Sequence, residues 1–103
     1  MATYQVVAST AELDDTGQLH VQLDDAEILL VRDGETYHAI AYYCSHEAFT
    51  LEGGMIHDGC IVCPYHGAEF CLADGTVKAP PAWEDIRTWP VRVEDNLISI
   101  AVE

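Results

Sequence analysis

The sequence predicts an all-β fold, an antiparallel β sandwich, on three observations. Its β-favouring runs are short and separated by turn residues. The dipeptide Asp-Gly recurs at 33–34, 58–59 and 74–75, where both residue types tolerate positive φ. No window carries the apolar spacing of a long amphipathic helix. A chain of 103 residues supports one hydrophobic core and is too short for two ordinary domains.

Tyr4-Gln5-Val6-Val7 opens the series of strands, and 9–15 reads as a polar connection with room for one helical turn. Leu19-His20-Val21-Gln22-Leu23 alternates apolar and polar residues, the pattern of a half-buried strand. Ile28-Leu29-Leu30-Val31 and Thr36-Tyr37-His38-Ala39-Ile40-Ala41 flank Asp33-Gly34 as the arms of a hairpin. Residues 55–62 form a second hairpin around Asp58-Gly59, and 91–93 and 97–102 a third around 94–96. The middle third, about 43–80, has shorter strands, denser glycines and all four cysteines. We therefore expect one domain, 1–103, with a small metal-holding subdomain at about 43–80 inserted into a β framework of 1–42 and 81–103.

Composition narrows the function. Half of the residues are apolar, which excludes a disordered segment. The apolar residues are dispersed, and no stretch approaches the ~18–20 needed for a membrane span. The first residues lack the basic start and apolar centre of a secretory signal, so the expected location is cytoplasmic. Eighteen Asp and Glu against four Lys and Arg give a formal charge of −14. Such a field repels nucleic acid and anionic membranes and favours fast, salt-sensitive encounters with basic protein patches. Without a secretory context, four cysteines read as metal ligands or buried thiols rather than disulfides.

Two motifs carry the chemistry. Cys44-Ser45-His46 and Cys63-Pro64-Tyr65-His66-Gly67 each place one thiolate and one imidazole on a tight loop. Residues 47–62 lie between them, and the hairpin within that interval brings the second loop back beside the first. Two such loops suit a mixed-ligand binuclear iron site, in which one iron takes both thiolates and the other both imidazoles. Tetrahedral zinc could use the same four ligands, although zinc ribbons usually employ Cys-x-x-Cys knuckles. Pro64 stiffens the second loop, and Gly67 lets its backbone pass close to the metal. Cys60-Ile61-Val62-Cys63 is nominally Cys-x-x-Cys, but strand geometry turns positions i and i+3 to opposite faces. Cys60 and Cys71 are accordingly expected as buried thiols, and His20, His38 and His57 as ordinary strand or surface residues.

These motifs resemble the Rieske family, whose pattern is Cys-x-His, an interval of this length, and Cys-x-x-His-Gly. The resemblance extends to Asp74-Gly75, the Pro80-Pro81 loop and the closing residues 88–95, which look like stand-alone Rieske ferredoxins. It implies a Rieske-like sandwich holding one [2Fe–2S] cluster through Cys44, His46, Cys63 and His66. Neutral imidazoles replace two thiolates, so adding an electron costs less than in an all-Cys cluster. The range known for Rieske centres is about −150 to +300 mV, against about −400 mV for plant-type ferredoxins. High-potential members carry a disulfide between the ligand loops and two hydroxyl donors to the cluster sulfurs. The matching positions here are Phe49, Tyr65, Ala68 and Phe70, which provide neither.

A lone Rieske domain is not itself an enzyme. The resemblance implies a soluble, monomeric one-electron carrier between an NADH-dependent, flavin-containing ferredoxin reductase and a terminal Rieske oxygenase that hydroxylates aromatic rings. A small subunit of an assimilatory nitrite reductase is an alternative of similar size and fold, and a zinc-stabilised binding module is another. Phe49, Leu51, Tyr65 and Pro80-Pro81-Ala82-Trp83 are expected beside the cluster as partner contacts. Trp83 suits the core equally well. Glu47, Glu52 and Glu69 are the acidic docking candidates.

Without the two hydroxyls and the disulfide, the reduction potential should lie at the low end of the Rieske range. It should fall further as the ligand imidazoles deprotonate at alkaline pH. Redox titration across neutral to alkaline pH checks both; a potential well above zero, or a flat pH profile, contradicts the respective expectation.

Overall fold

The computed structural model describes residues 3–44, 50–65, 67–80 and 84–102. They form eleven strands: β1 (Thr3–Ser9), β2 (Gln18–Leu23), β3 (Ala26–Asp33), β4 (Thr36–Ala41), β5 (Met55–His57), β6 (Cys60–Val62), β7 (Glu69–Cys71), β8 (Val77–Ala79), β9 (Thr88–Trp89), β10 (Val91–Glu94) and β11 (Leu97–Val102). A 3-10 turn, Thr10–Leu13, follows β1. The Glu12 carboxylate accepts the Ser9 backbone N–H at 2.8 Å there, satisfying a donor that the turn leaves open.

All strand pairings are antiparallel. They build three sheets, β1-β11-β10, β2-β3-β4-β9 and β5-β6-β7-β8. Burial along β3 explains how the sheets stack. Ile28, Leu29, Leu30 and Val31 are all fully buried, although successive strand residues point to opposite faces. The middle sheet is therefore covered on both sides. Ile28, Leu30 and Ala39 pack with Leu13, Trp89, Ile98 and Ile100 toward β1-β11-β10. Leu29, Val31 and Ile40 pack with Ile61, Phe70, Leu72 and Ile86 toward β5-β6-β7-β8. The half-buried alternation expected for 19–23 is present in β2, which lies at the sheet edge.

Turn chemistry sets the registers. Asp58 and Gly59 both adopt positive φ, 50° and 75°, and close the β5–β6 hairpin with His57 opposite Cys60. Asp95 and Asn96, at 52° and 64°, do the same for β10–β11. These are the conditions of a type I′ turn. The hairpin at 33–34 differs from the expected one. Asp33 is the last residue of β3 and pairs with Thr36, so the turn is Gly34-Glu35 and only Gly34 takes positive φ.

The third sheet is an excursion from the second. β4 and β9 are neighbours, with Ala39 opposite Trp89, and the Ala41 N–H donates to the Arg87 carbonyl at 2.9 Å. Everything between 41 and 87 leaves and returns at that point. Inside the excursion, a Cβ on Gly54 would run into the Val62 carbonyl, so only glycine permits β5 to start so close to β6.

The two faces of β3 predict separable effects. Leu29→Ala and Leu30→Ala should each cost about 2–5 kcal/mol of stability by opening a cavity. Only Leu29→Ala, on the side of the ligand motifs, should also hasten bleaching of the visible absorption at temperatures well below unfolding. Calorimetry and timed absorption spectra of the two variants check this.

Candidate metal centre

The first ligand motif follows β4 and sits on a strapped base. The Tyr42 N–H donates to the Glu27 carbonyl at 3.1 Å, and the Leu51 N–H donates to the Tyr42 carbonyl at 2.8 Å. An antiparallel bridge between Tyr43 and Thr50 closes the loop above it. The Tyr42 ring stacks on His20 at 3.8 Å between centroids, and its hydroxyl donates to the Glu52 carboxylate at 2.7 Å. That hydrogen bond is the main reason its pKa is pushed up to about 12, with loss of solvent and the Glu52 charge adding to it. Glu27 raises the neighbouring Tyr43 in the same way, first as a hydrogen-bond partner and then through its charge. On the other side, Gln18 donates to the Gly54 carbonyl at 2.9 Å and accepts the Gly53 N–H at 2.6 Å.

The second motif occupies the β6–β7 turn. The Cys63 N–H donates to the Ala68 carbonyl at 2.7 Å, and the Gly67 N–H donates to the Cys63 carbonyl at 3.0 Å. Gly67 adopts φ 80°, which this tight return requires and other residues rarely tolerate.

Cys44 and Cys63, nineteen positions apart, lie in one apolar cluster with Leu51, Ile61, Ala68 and Phe70. They are 4% and 1% exposed. A buried cysteine alone is an ordinary core residue. Two buried together, each at the start of a loop whose next donor is a histidine, fit a soft-metal site, and their chemistry suits an iron–sulfur cluster. His46 and His66 lie outside the described residues, as do Ser45, Glu47, Ala48, Phe49, Pro81, Ala82 and Trp83.

The other cysteines and histidines fall elsewhere. In and after β6, Ile61 and Cys63 are buried while Cys60 and Val62 are half-buried, so Cys60 and Cys63 face opposite ways. Cys60 pairs across the sheet with Cys71, and both are partly exposed rather than the buried thiols expected. Burial raises the Cys60 pKa, with smaller contributions from Cys71 and Glu69. His20 on β2 is 3.3 Å from Glu27 on β3, and exposed His57 is 3.2 Å from Asp58. His38 is half-buried on β4, where loss of solvent lowers its pKa against the opposing pull of Asp33.

The expected contact residues divide. Tyr65 is 61% exposed and lines a groove with Met55, Val62, Cys63, Pro64 and Gly67. Leu51 is fully buried and cannot meet a partner, because the Leu51 N–H bonded back to Tyr42 holds that residue in the core. Met55, 73% exposed beside the same loop, is a surface residue that sequence reasoning passed over. Its alternation with half-buried Ile56 was the available signal. Of the docking candidates, Glu52 is exposed and holds Tyr42, while Glu69 is half-buried on β7.

An all-β scaffold that buries two cysteines from separate Cys/His loops defines an iron–sulfur protein of the two-loop kind. Residues 3–90 match the family model described as the Rieske [2Fe–2S] domain; the chain belongs to that family, and its cofactor is one Rieske [2Fe–2S] cluster. It is similar to the 3-phenylpropionate/cinnamic acid dioxygenase ferredoxin subunit of Photorhabdus laumondii, 36% identical over 97 residues, covering 93% of this chain and 91% of that one. Among solved structures it resembles the ferredoxin of carbazole 1,9a-dioxygenase from Nocardioides aromaticivorans IC177. There the TM-score is 0.89 at 30% identity, with 98% of this chain and 99% of that chain covered. A putative NADH-dependent nitrite reductase small subunit from Mycobacterium tuberculosis shares the fold, with a TM-score of 0.87 at 20% identity, covering 100% of this chain and 97% of that one. Against a longer relative, mouse apoptosis-inducing factor 3, identity is 28% and the match covers 91% of this chain but 16% of that protein.

Removing the Tyr42 hydroxyl should loosen the base of the first loop. Tyr42→Phe is expected to cost roughly 0.5–1 kcal/mol, the value of a solvent-screened hydrogen bond to a carboxylate. It should also accelerate cluster loss to an iron chelator, and Glu52→Gln should act in the same direction. Timed absorption decay with and without chelator checks this.

Proposed function

We propose that this chain is a one-electron carrier whose cluster is held by Cys44 and Cys63 on one iron and by His46 and His66 on the other. It works as a single domain in which about 43–80 hold the cluster and the remaining strands form the framework. The observation that carries the reading is the joint burial of Cys44 and Cys63 in one apolar cluster, each heading a loop with a histidine. When bound, the cluster accepts and releases one electron. The chain keeps water from the sulfur side with Leu51, Ile61, Ala68 and Phe70.

The partners we infer are an NADH-dependent flavoprotein reductase as donor and a terminal aromatic-ring-hydroxylating oxygenase as acceptor. Similarity to two dioxygenase ferredoxins, at 36% and 30% identity, supports this pathway over the nitrite reductase reading, whose relative shares the fold at 20%. The carrier acts in the cytoplasm as a monomer and is not itself an enzyme. Exposed Tyr65 and Met55 beside the second loop give a partner an apolar foothold. The charge of −14 draws basic patches toward it and lets them leave, since exposed charge pairs are weak and screened by salt.

Electron paramagnetic resonance of the dithionite-reduced protein tests the ligand set. The expected result is a rhombic signal with an average g value below that of all-Cys clusters. Cys60→Ser and Cys71→Ser should leave it unchanged, whereas His46→Cys or His66→Cys should abolish it or move it toward the all-Cys form. An all-Cys signal in the wild type, or zinc in place of iron, would overturn the reading. Transfer rates to a purified terminal oxygenase that fall steeply with added salt would support the docking model, and salt-independent rates would count against it.

A further inference from the structure

Cys60 and Cys71 are the remaining sulfur pair, and they lie directly opposite each other on β6 and β7. Hydrogen bonds on either side fix which kind of pair they form. The Leu72 N–H donates to the Gly59 carbonyl at 2.9 Å, and the Cys63 N–H donates to the Ala68 carbonyl at 2.7 Å. An antiparallel ladder alternates bonded and non-bonded pairs, so 59/72, 61/70 and 63/68 are bonded and 60/71 is not. Non-bonded pairs bring the two Cα atoms to about 4.5 Å with their side chains on one face, at the short end of the separation a disulfide spans.

Both thiols are partly exposed, on the face opposite the buried Ile61 and Phe70. A small solute therefore reaches them without entering the core. Neither is needed by the ligand set, since Cys60 points away from Cys63. Cys60 makes a long contact, 3.8 Å, to the Asp58 carbonyl, and Cys71 hydrogen-bonds the Asp74 carboxylate.

We propose that Cys60 and Cys71 form a reversible dithiol–disulfide site, oxidised by low-molecular-weight disulfides, that closes a covalent ring around the second ligand loop. In the first step one cysteine thiolate attacks the S–S bond of the small disulfide, forming a mixed disulfide and expelling one small thiol. The opposite cysteine then attacks the protein sulfur of that mixed disulfide and expels the second small thiol. Two electrons pass from the cysteine sulfurs to the small disulfide, and the two cysteine protons end on the two released thiols. The ring spans 60–71 and so encloses Cys63, His66 and Gly67. A dithiol reductant reverses the bond by the same two exchanges run in the opposite order.

The test uses the holoprotein and oxidised glutathione. After incubation, free thiols are alkylated, the protein is cleaved before its aspartates, and reduced cysteines receive a second label. We expect an intact mass lower by two hydrogens, the second label on Cys60 and Cys71 only, unchanged visible absorption, and full reversal by dithiothreitol. Cys60→Ser and Cys71→Ser should each retain one glutathione that the wild type releases. The proposal is overturned if both thiols stay open to the first label. It is equally overturned if the wild type keeps a glutathione adduct, or if disulfides appear only with cluster loss and involve Cys44 or Cys63. Because the readout is the sulfur pairing, it stands or falls separately from the identity of the redox partners.

Discussion

Four consecutive residues of β3 sealed on both faces, Ile28 to Val31, impose the layout of the whole molecule. A strand with no solvent face needs cover on each side, and the chain supplies it from two directions. The terminal strands β1, β10 and β11 close one side, and the excursion between β4 and β9 closes the other. Cys44 and Cys63 lie in that second cover, against fully buried Leu29, Val31 and Ile40. The middle sheet braces the base of the first motif through Tyr42, whose ring, carbonyl and hydroxyl are all engaged.

The chain has only four Lys and Arg. Arg32 is 3.4 Å from Asp14 and donates to the Gly34 carbonyl, Arg87 lies over the Trp89 ring, and Arg92 lies over Tyr4. Lys78 is exposed on β8. Among the described residues no charged or polar side chain is buried, so the acidity of the protein is a property of its surface.

Much of this was legible before any coordinates. The alternation in β2 and the type I′ signal at Asp58-Gly59 each reflect local rules that tertiary context did not override, and the two Cys/His motifs pointed to the family that the chain matches. What the sequence hid was mostly non-local. The run Ile28–Val31 reads as a strand, but nothing nearby in the chain tells which layer covers each face. β7, β8 and β9 span two or three residues, too few for a period to register. Leu51 looked like a loop residue beside the ligands and is a core residue, because its placement depends on a hydrogen bond nine residues back. At Asp33-Gly34 the dipeptide was a sound turn signal, while its phase was set by the Asp33–Thr36 pairing.

The hydrogen bond from Ala41 to Arg87 marks where the chain departs from and rejoins the middle sheet. Its geometry gives the cluster region the character of a cassette. Both ends emerge from adjacent strands, so the insertion costs the host sheet only the closure of one long loop, and that cost grows slowly with length. A β scaffold offering two neighbouring strand ends and an apolar face equivalent to Leu29, Val31 and Ile40 could receive the same segment as a graft. A segment of this kind can thus vary in its outer loops, provided that the strands covering Leu29, Val31 and Ile40 are kept.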